Sequence, residues 1–221
     1  MKTAVKTKIR KTDFHPLLRI FVYLTVLVFT VLTLYPLFWL VISSLKTTTE
    51  FQRNMTGLPV NPTINNYPTA WRLAQFDTLF LNSLFFTVAS TLLVIPFSLM
   101  AGFAFAKIRS KATPFLHGSF VIGILLTLQS IMVPLFLMAV ATNLYNTRLG
   151  VLIPYVGMGM PIGIYLCTEF IKSVPDSVVE SARIDGASYL RIFAMIVAPM
   201  AKPVAVTLAI LNVSGVWNEF M

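Results

Sequence analysis

The chain alternates long apolar runs with shorter polar stretches. Residues 20–42, IFVYLTVLVFTVLTLYPLFWLVI, contain no charged side chain, and a helix of that length extends about 34 Å, more than a bilayer core of about 30 Å. Further apolar runs cover residues 78–106, about 115–140, 149–168 and from about 201 onward. This pattern predicts an all-α, polytopic membrane protein with five transmembrane helices.

Polar stretches separate these runs. Residues 46–77 contain Gly57 and three prolines, which predicts a loop outside the bilayer, with a short helix near residues 66–75. The sequence TNLYNT at residues 142–147 predicts an exposed turn. Residues 172–200 mix charged, polar and apolar side chains. They form the second long departure from the apolar pattern.

Composition points to lipid as the solvent. The chain is 57% hydrophobic and only 11% charged, whereas a soluble domain is about a quarter charged. Its net charge of +9 does not indicate nucleic-acid binding, because the basic residues cluster between apolar runs instead of interleaving with a soluble fold. We therefore expect a lipid bilayer as partner and no nucleic acid.

The basic residues also predict an orientation. With a cytoplasmic N-terminus, 13 of the 17 Lys and Arg residues face the cytoplasm and four face outward, as the positive-inside rule requires. The sequence thus predicts a cytoplasmic basic N-terminus over residues 1–16 and a transmembrane domain over residues 17–221. Within that domain, residues 46–77 form an extracytoplasmic loop and residues 172–200 a cytoplasmic loop.

The chain offers little material for catalysis. Cys167 is its one cysteine, which excludes an internal disulfide and a Cys-based metal site. Neither His15 nor His117 has a partner at metal-ligand spacing, and the acids near spans, Glu169 and Glu219, lie at opposite ends of theirs. The sequence also lacks the G-x-x-x-x-G-K-[ST] phosphate loop. We expect no catalytic residue, metal or cofactor, and hence no enzyme.

The sequence ESARIDGASY, residues 180–189, and the residues just before it contain signals for the start and end of short helices. Ser177 precedes Glu180 by three residues, the spacing of a capping box at a helix start. Gly186 can supply a left-handed residue that ends this helix. Ser188 can cap a second helix over residues 189–198. The predicted object is a helix–turn–helix with a sharp corner.

This helix–turn–helix has two interpretations. Pro199 marks the expected joint between it and the fifth span. It could simply connect two spans along the membrane surface, as many interfacial helices do. A compact, capped helix with mixed charge and a small apolar strip also suits docking into a groove on a partner. The residues alone leave both interpretations open.

At this point the sequence resembles a known family. ESARIDGAS followed by IVAPM is similar to the EAA loop of permease subunits in ATP-binding-cassette (ABC) importers, whose pattern is E-A-A, D-G-A and a distal L-P. Ser181 stands where that family usually has Ala. The residues expected to couple this loop to an ATPase are Ser177, Glu180, Ser181, Ala182, Arg183, Asp185, Gly186, Ala187 and Pro199.

Other stretches resemble one branch of that family. Residues 35–46, 82–90, 133–155 and 217–220 are similar to the second permease subunit of carbohydrate importers of the maltose type. The resemblance covers about residues 15–221 and implies a type I ABC importer permease fold that translocates a sugar or oligosaccharide. It also implies a sixth span, so we expect the sequence to stop before the last helix of the family core.

The resemblance further implies partners and a location. These are a second permease subunit in a heterodimer, separate ABC ATPase subunits that hydrolyse ATP, an extracytoplasmic solute-binding protein and a prokaryotic inner membrane. Two alternatives stay open: an ABC importer permease for another small solute, and a secondary transporter or channel. The second alternative usually requires buried ionisable residues for ion coupling, and this chain has almost none.

A translocation path is harder to predict. Asn82, Gln129, Ser130 and Asn212 are polar residues within or near predicted spans. Such residues either line a path or hydrogen-bond helices to one another. The resemblance to the maltose type implies that sugar contacts fall mainly on the other permease.

Overall fold

The computed structural model describes residues 16–108 and 110–219. The predicted cytoplasmic N-terminus, residues 1–16, therefore lies almost wholly outside the described residues. Helices and their connections make up the described ranges, and no strand occurs within them. The α-helices are α1 (Pro16–Ser44), α2 (Thr48–Arg53), α3 (Asn66–Leu73), α4 (Phe76–Lys107), α5 (Thr113–Gly123), α6 (Leu128–Ala141), α7 (Arg148–Lys172), α8 (Asp176–Ile184), α9 (Tyr189–Ile192), α10 (Ala198–Met200) and α11 (Lys202–Trp217).

The described helices provide up to five membrane spans. Helices α1, α4 and α7 are each long and apolar enough to cross a bilayer. Two bent pairs also qualify, α5 with α6 and Tyr189–Met200 with α11. The predicted all-α, multi-span architecture is thus confirmed, with three unbroken spans and two broken ones.

The span predicted over about residues 115–140 is broken in the structure. Helices α5 and α6 meet at a bend of 102°. The amides of Ile124, Leu125 and Leu126 bond to carbonyls three residues back, which tightens and ends α5. Thr127 is then extended before α6 begins. All of these residues but Thr127 are apolar, so hydropathy alone does not reveal the break.

The chain divides after Phe76 into two compact units. In the first unit, α1 buries no residue against the protein, as expected for a helix whose surroundings are lipid or another subunit. Its three threonine hydroxyls each donate to the carbonyl four residues earlier, so they present no unpaired donor to the bilayer.

Hydrogen bonds shape the polar segment that follows α1. Lys46 is only 2% exposed, and its Nζ donates to the carbonyl oxygens of Asn54 at 2.7 Å and Met55 at 3.4 Å. The Asn66 side-chain amide donates to the carbonyls of Ser44 at 2.8 Å and Lys46 at 2.7 Å. The predicted short helix near residues 66–75 is present as α3.

In the second unit, α4 and α7 approach closely at small residues. A Cβ on Gly102 would lie 2.7 Å from the Cβ of Cys167, and one on Gly163 would lie 2.3 Å from the Oγ of Ser98. Small residues commonly permit such contact between membrane helices. The apolar core of this unit joins α4, α7 and α11 to residues of the 172–200 segment.

Candidate functional site

Helix α8 begins differently from the prediction. Its first residue is Asp176 and its N-cap is Pro175, with no side-chain cap, so the capping box proposed for Ser177 and Glu180 is wrong. Pro175 holds φ at −58° with an extended ψ of 134°, which directs the chain into the helix two residues earlier than a Ser177 cap would. Asp176 places a negative charge in the first turn, where the helix dipole favours it.

One face of α8 is anchored in the core. Val179 and Ala182 are buried, and they belong to the same apolar cluster as Phe103 of α4 and Ile171 of α7. Their spacing of three residues places them on one side of the helix. The helix is therefore packed against two spans rather than lying loosely on the surface.

The corner after α8 has the predicted left-handed glycine. Gly186 has φ of +82°, its amide donates to the carbonyl of Arg183 at 3.0 Å, and the amide of Ala187 donates to that of Ala182 at 3.0 Å. This is the Schellman arrangement of a helix C-terminus. A Cβ on Gly186 would meet nothing within 4 Å, so the backbone angle, not space, selects glycine here.

The second helix begins as predicted but does not continue as one α-helix. The Ser188 hydroxyl accepts from the amide of Arg191 at 3.3 Å and caps α9. A π-helical turn, Phe193–Val197, then interrupts the predicted helix over residues 189–198. Such turns add a residue to the helical repeat and occur often at functional sites.

The joint with the fifth span also lies later than expected. Pro199 was predicted to mark it, but Pro199 is inside α10, and the chain turns at Ala201. The two arms meet at 73°. The π-helical turn runs directly into α10, and Pro199, which lacks an N–H, donates no backbone hydrogen bond to this stretch.

Aromatic contacts join the two helices on either side of Gly186, α8 and α9. The Arg183 Cζ lies 4.2 Å from the ring centroid of Tyr189, within range of a cation–π interaction. Phe103 of α4 contacts Tyr189 at 6.5 Å and Phe193 at 5.6 Å between ring centroids. Sequence reasoning missed this cluster, because nothing in the local pattern links Phe103 to residues that far along the chain.

A buried lysine joins α4 to the start of α8. The Lys107 side chain is 3% exposed, and its Nζ lies 2.6 Å from Asp176 Oδ1. It also donates to the carbonyl of Val174. The sequence pattern placed Lys107 in a basic turn after the second span and gave no sign that it enters the protein.

The opposite face of α8 is accessible. The side chains of Glu180, Arg183 and Asp185 are exposed, and Ile184 is 86% exposed. An open groove of about 620 Å³ runs beside them, with Lys107 among the residues that line it. This surface carries side chains of positive and negative charge and the exposed apolar side chain of Ile184, a combination that suits docking to a protein.

The nine predicted coupling residues thus take distinct positions. Ala182 is buried, Ala187 is half-buried, and Gly186 forms the corner. The exposed members are Ser177, Glu180, Ser181, Arg183, Asp185, Gly186 and Pro199. Within the described ranges, no three His, Cys, Asp or Glu side chains form a cluster that could hold a metal ion.

Asn212 is the predicted path residue with the most defined surroundings. Its Nδ2 donates to Ser90 Oγ at 3.2 Å and Thr91 Oγ1 at 2.8 Å, which links α11 to α4. It also lines a mostly apolar cavity of about 310 Å³, together with Tyr155 and Glu219. Asn212 therefore combines a helix-bridging role with a position on a cavity wall.

The other three predicted path residues do not join it. Asn82, Gln129 and Ser130 are absent from the described lining of that cavity. Asn82 is half-buried, whereas Gln129 and Ser130 are exposed near the start of α6. Ser130 Oγ lies 2.8 Å from Thr127 Oγ1, a local contact at the bend between α5 and α6.

Comparison with known proteins agrees with this architecture. Residues 14–221 match the family described as "Binding-protein-dependent transport system inner membrane component". The chain belongs to this family. It is accordingly a multi-pass membrane component of a transport system, and the family is one of transporters rather than enzymes.

Two relatives illustrate the range of the family. The "Multiple sugar-binding transport system permease protein MsmG" of Streptococcus mutans is 35% identical over 86% of this chain and 69% of its own length. The "Probable starch degradation products transport system permease protein AmyC" of Thermoanaerobacterium thermosulfurigenes is 31% identical over 88% of this chain and 71% of its own.

A solved structure has a similar fold. It is the "Crystal structure of a bacterial ABC transporter involved in the import of the acidic polysaccharide alginate", with a TM-score of 0.77 and 24% identity. The match covers 94% of this chain and 74% of the other. This likeness, with the family match, confirms the predicted type I importer-permease fold.

Proposed function

We propose that this chain is a permease subunit of an ATP-driven importer that carries a sugar or oligosaccharide across a prokaryotic inner membrane. The names of the relatives support the substrate class, since both printed names refer to sugars or starch products. A soluble binding protein delivers the sugar from outside, and a second permease subunit completes the pathway. ATP hydrolysis takes place on separate ABC ATPase subunits.

In this proposal the 172–200 segment is the contact with the ATPase. The observation that carries it is the two-sided character of α8, which buries Val179 and Ala182 in the core and exposes Glu180, Arg183 and Ile184. A helix held on one side and accessible on the other can transmit force between a partner and the spans. Closure of the ATPase dimer on ATP would move this segment as one body and switch the spans from facing inward to facing outward.

The orientation of the chain follows from this role. The N-terminus and residues 172–200 lie in the cytoplasm, and residues 46–77 lie outside, where the binding protein docks. The distribution of basic residues supports this arrangement. Asn212 borders the sugar path, and Asn82, Gln129 and Ser130 are weaker candidates for it, since they lie away from the cavity.

Purification from the native host followed by reconstitution tests the proposal. A tagged chain, extracted in mild detergent, should retain an ABC ATPase and a second permease. In proteoliposomes, ATP hydrolysis by this complex should rise when its binding protein is supplied with the correct member of a panel of mono- and oligosaccharides, amino acids and polyols. Uptake driven by a proton or sodium gradient through the chain alone would overturn the proposal.

A further inference from the structure

We infer that Lys107 is a positioning residue that transmits movement of the 172–200 segment to the α4 span. The inference rests on the proposed function and adds to it a specific mechanical link. Lys107 is the last residue of α4, and its Nζ binds the carbonyl of Val174 and the carboxylate of Asp176. These two acceptors flank Pro175, so one ammonium group holds the chain on both sides of the entrance to α8.

The surroundings of Lys107 make this contact costly to break. Only 3% of its side chain is exposed, and a buried ammonium group requires compensating partners. Removal of a partner leaves this ammonium group less well compensated, although the cost is moderated on the Asp176 side, because that side chain is 63% exposed. The pair also joins the C-terminal end of α4 to the N-terminal turn of α8, where the helix dipoles favour a cation and an anion respectively.

Apolar packing alone would give a weaker link. Phe103 lies against the α8–α9 corner through aromatic contacts, and apolar burial is not directional. Packed helices can slide against each other by small amounts during domain motion. A short hydrogen bond from Lys107 to Asp176, at 2.6 Å, fixes direction as well as distance, so displacement of α8 must displace the end of α4.

The chain contains a matched control for this lysine. Lys172 Nζ lies 2.7 Å from Glu169 Oε1, but both residues belong to α7, and their side chains are 50% and 46% exposed. This pair connects no two elements. An exposed pair at this spacing adds little to stability. Lys107 and Lys172 thus form ion pairs of similar length with opposite mechanical consequences.

The test compares Lys107→Met with Glu169→Met, which breaks the α7 ion pair at the residue outside the 172–200 segment, in the reconstituted complex of both permeases, ATPase and binding protein. The quantity measured is the amount of sugar transported per ATP hydrolysed. We expect this ratio to fall at least about fivefold in Lys107→Met, the lower range of coupling effects, and to match wild type in Glu169→Met. Lys107→Arg should restore much of the ratio, because a guanidinium can donate to both acceptors.

The outcomes separate this inference from the proposed function. If the ATP hydrolysis rate of the wild-type complex does not change when the sugar-loaded binding protein is added, the proposed function and the role of Lys107 are both overturned. Coupled wild type with an unchanged ratio in Lys107→Met overturns only the role of Lys107. If Lys107→Met does not assemble, Asp176→Ala takes its place, since the Asp176 side chain is 63% exposed and its removal is milder; an unchanged ratio there likewise overturns the inference.

Discussion

The two polar segments of this chain are held in place by different forces. The first is the part of the predicted 46–77 loop that precedes α4, here called the 46–75 segment. It buries no residue of α2 or α3 and keeps its shape through hydrogen bonds from Lys46 and Asn66 to backbone carbonyls. The 172–200 segment also receives such a bond, from Lys107 to the carbonyl of Val174, but in addition it buries Val179, Ala182 and Ile192 in the apolar core of its unit.

This difference suits different tasks. Internal hydrogen bonds give a loop a definite surface, which is sufficient for recognition by a soluble partner. Burial in the core connects a segment to the spans, which is necessary if its movement is to change them. The predictions below disturb each kind of anchor, from the largest expected effect to the smallest.

Val179→Asp should break the apolar anchor of α8. It places an unpaired carboxylate in the core, at a cost of about 3 kcal/mol or more. We expect trypsin to cut the purified complex at Arg183 and Arg191 much faster than in wild type. Ser177→Asp, at an exposed position of the same helix, is the control, and trypsin should cut it as slowly as wild type. Equal cleavage of the two variants would show that α8 is not anchored through this face.

Gly186→Val should disturb the corner without filling any space. The cost is roughly 1–2 kcal/mol from the left-handed backbone alone, and the changed corner tilts α8 relative to α9. We expect assembly of the complex with loss of sugar-stimulated ATP hydrolysis. Gly118→Val is matched, since its Cβ also meets nothing within 4 Å but its φ is not positive. If sugar-stimulated ATP hydrolysis in Gly186→Val matched wild type, the corner at Gly186 would not be required for coupling.

Lys46→Met should loosen the 46–75 segment and leave coupling intact. The carbonyl of Asn54 loses its charged donor, which costs about 1.5–3 kcal/mol, whereas the Met55 carbonyl keeps the hydrogen bond from Trp39 Nε1. Trypsin should cut faster at Arg53, while sugar transported per ATP stays at the wild-type value. Arg72→Met, which removes an exposed cation from the same segment, should change neither. A fall in transport per ATP in Lys46→Met would erase the distinction between the two segments.

Asn66→Ala should give the smallest of these effects. It removes two side-chain hydrogen bonds, to Ser44 and Lys46, each worth about 1 kcal/mol. Hydrogen–deuterium exchange should increase in peptides that cover residues 44–66. Asn65→Ala is the control, because the Asn65 side chain makes no cap bond to α3. Identical exchange in the two variants would show that Asn66 does not support this segment.

Local chemistry explains which features could be predicted from sequence. The spans follow from runs of about 20 apolar residues, and the Gly186 corner and Ser188 cap depend on residues within a few positions. The predicted Ser177 cap is wrong although it is equally local, because Pro175 provides a stronger signal for a helix start two residues earlier. The π-helical turn was missed, since its apolar sequence is also compatible with a regular helix.

The remaining features depend on partners far apart in sequence. Lys107 and Asp176 are 69 positions apart, and Asn212 and Ser90 are 122 apart. Hydropathy predicts that such residues lie near the ends or middles of helices, but not which helices meet. The proposed coupling surface could thus be predicted from its motif, whereas the contacts that connect the 172–200 segment to the spans required the fold.

Cross-linking at two equally exposed positions tests the central claim most directly. Ile184 in α8 is 86% exposed and Leu73 in α3 is 82% exposed. Each is replaced by Cys and treated with a thiol–photoreactive reagent in the assembled complex. The account predicts that Ile184→Cys cross-links to the ATPase subunit and that Leu73→Cys does not. Cross-linking of the ATPase through Leu73→Cys, or its absence with Ile184→Cys, would contradict the account.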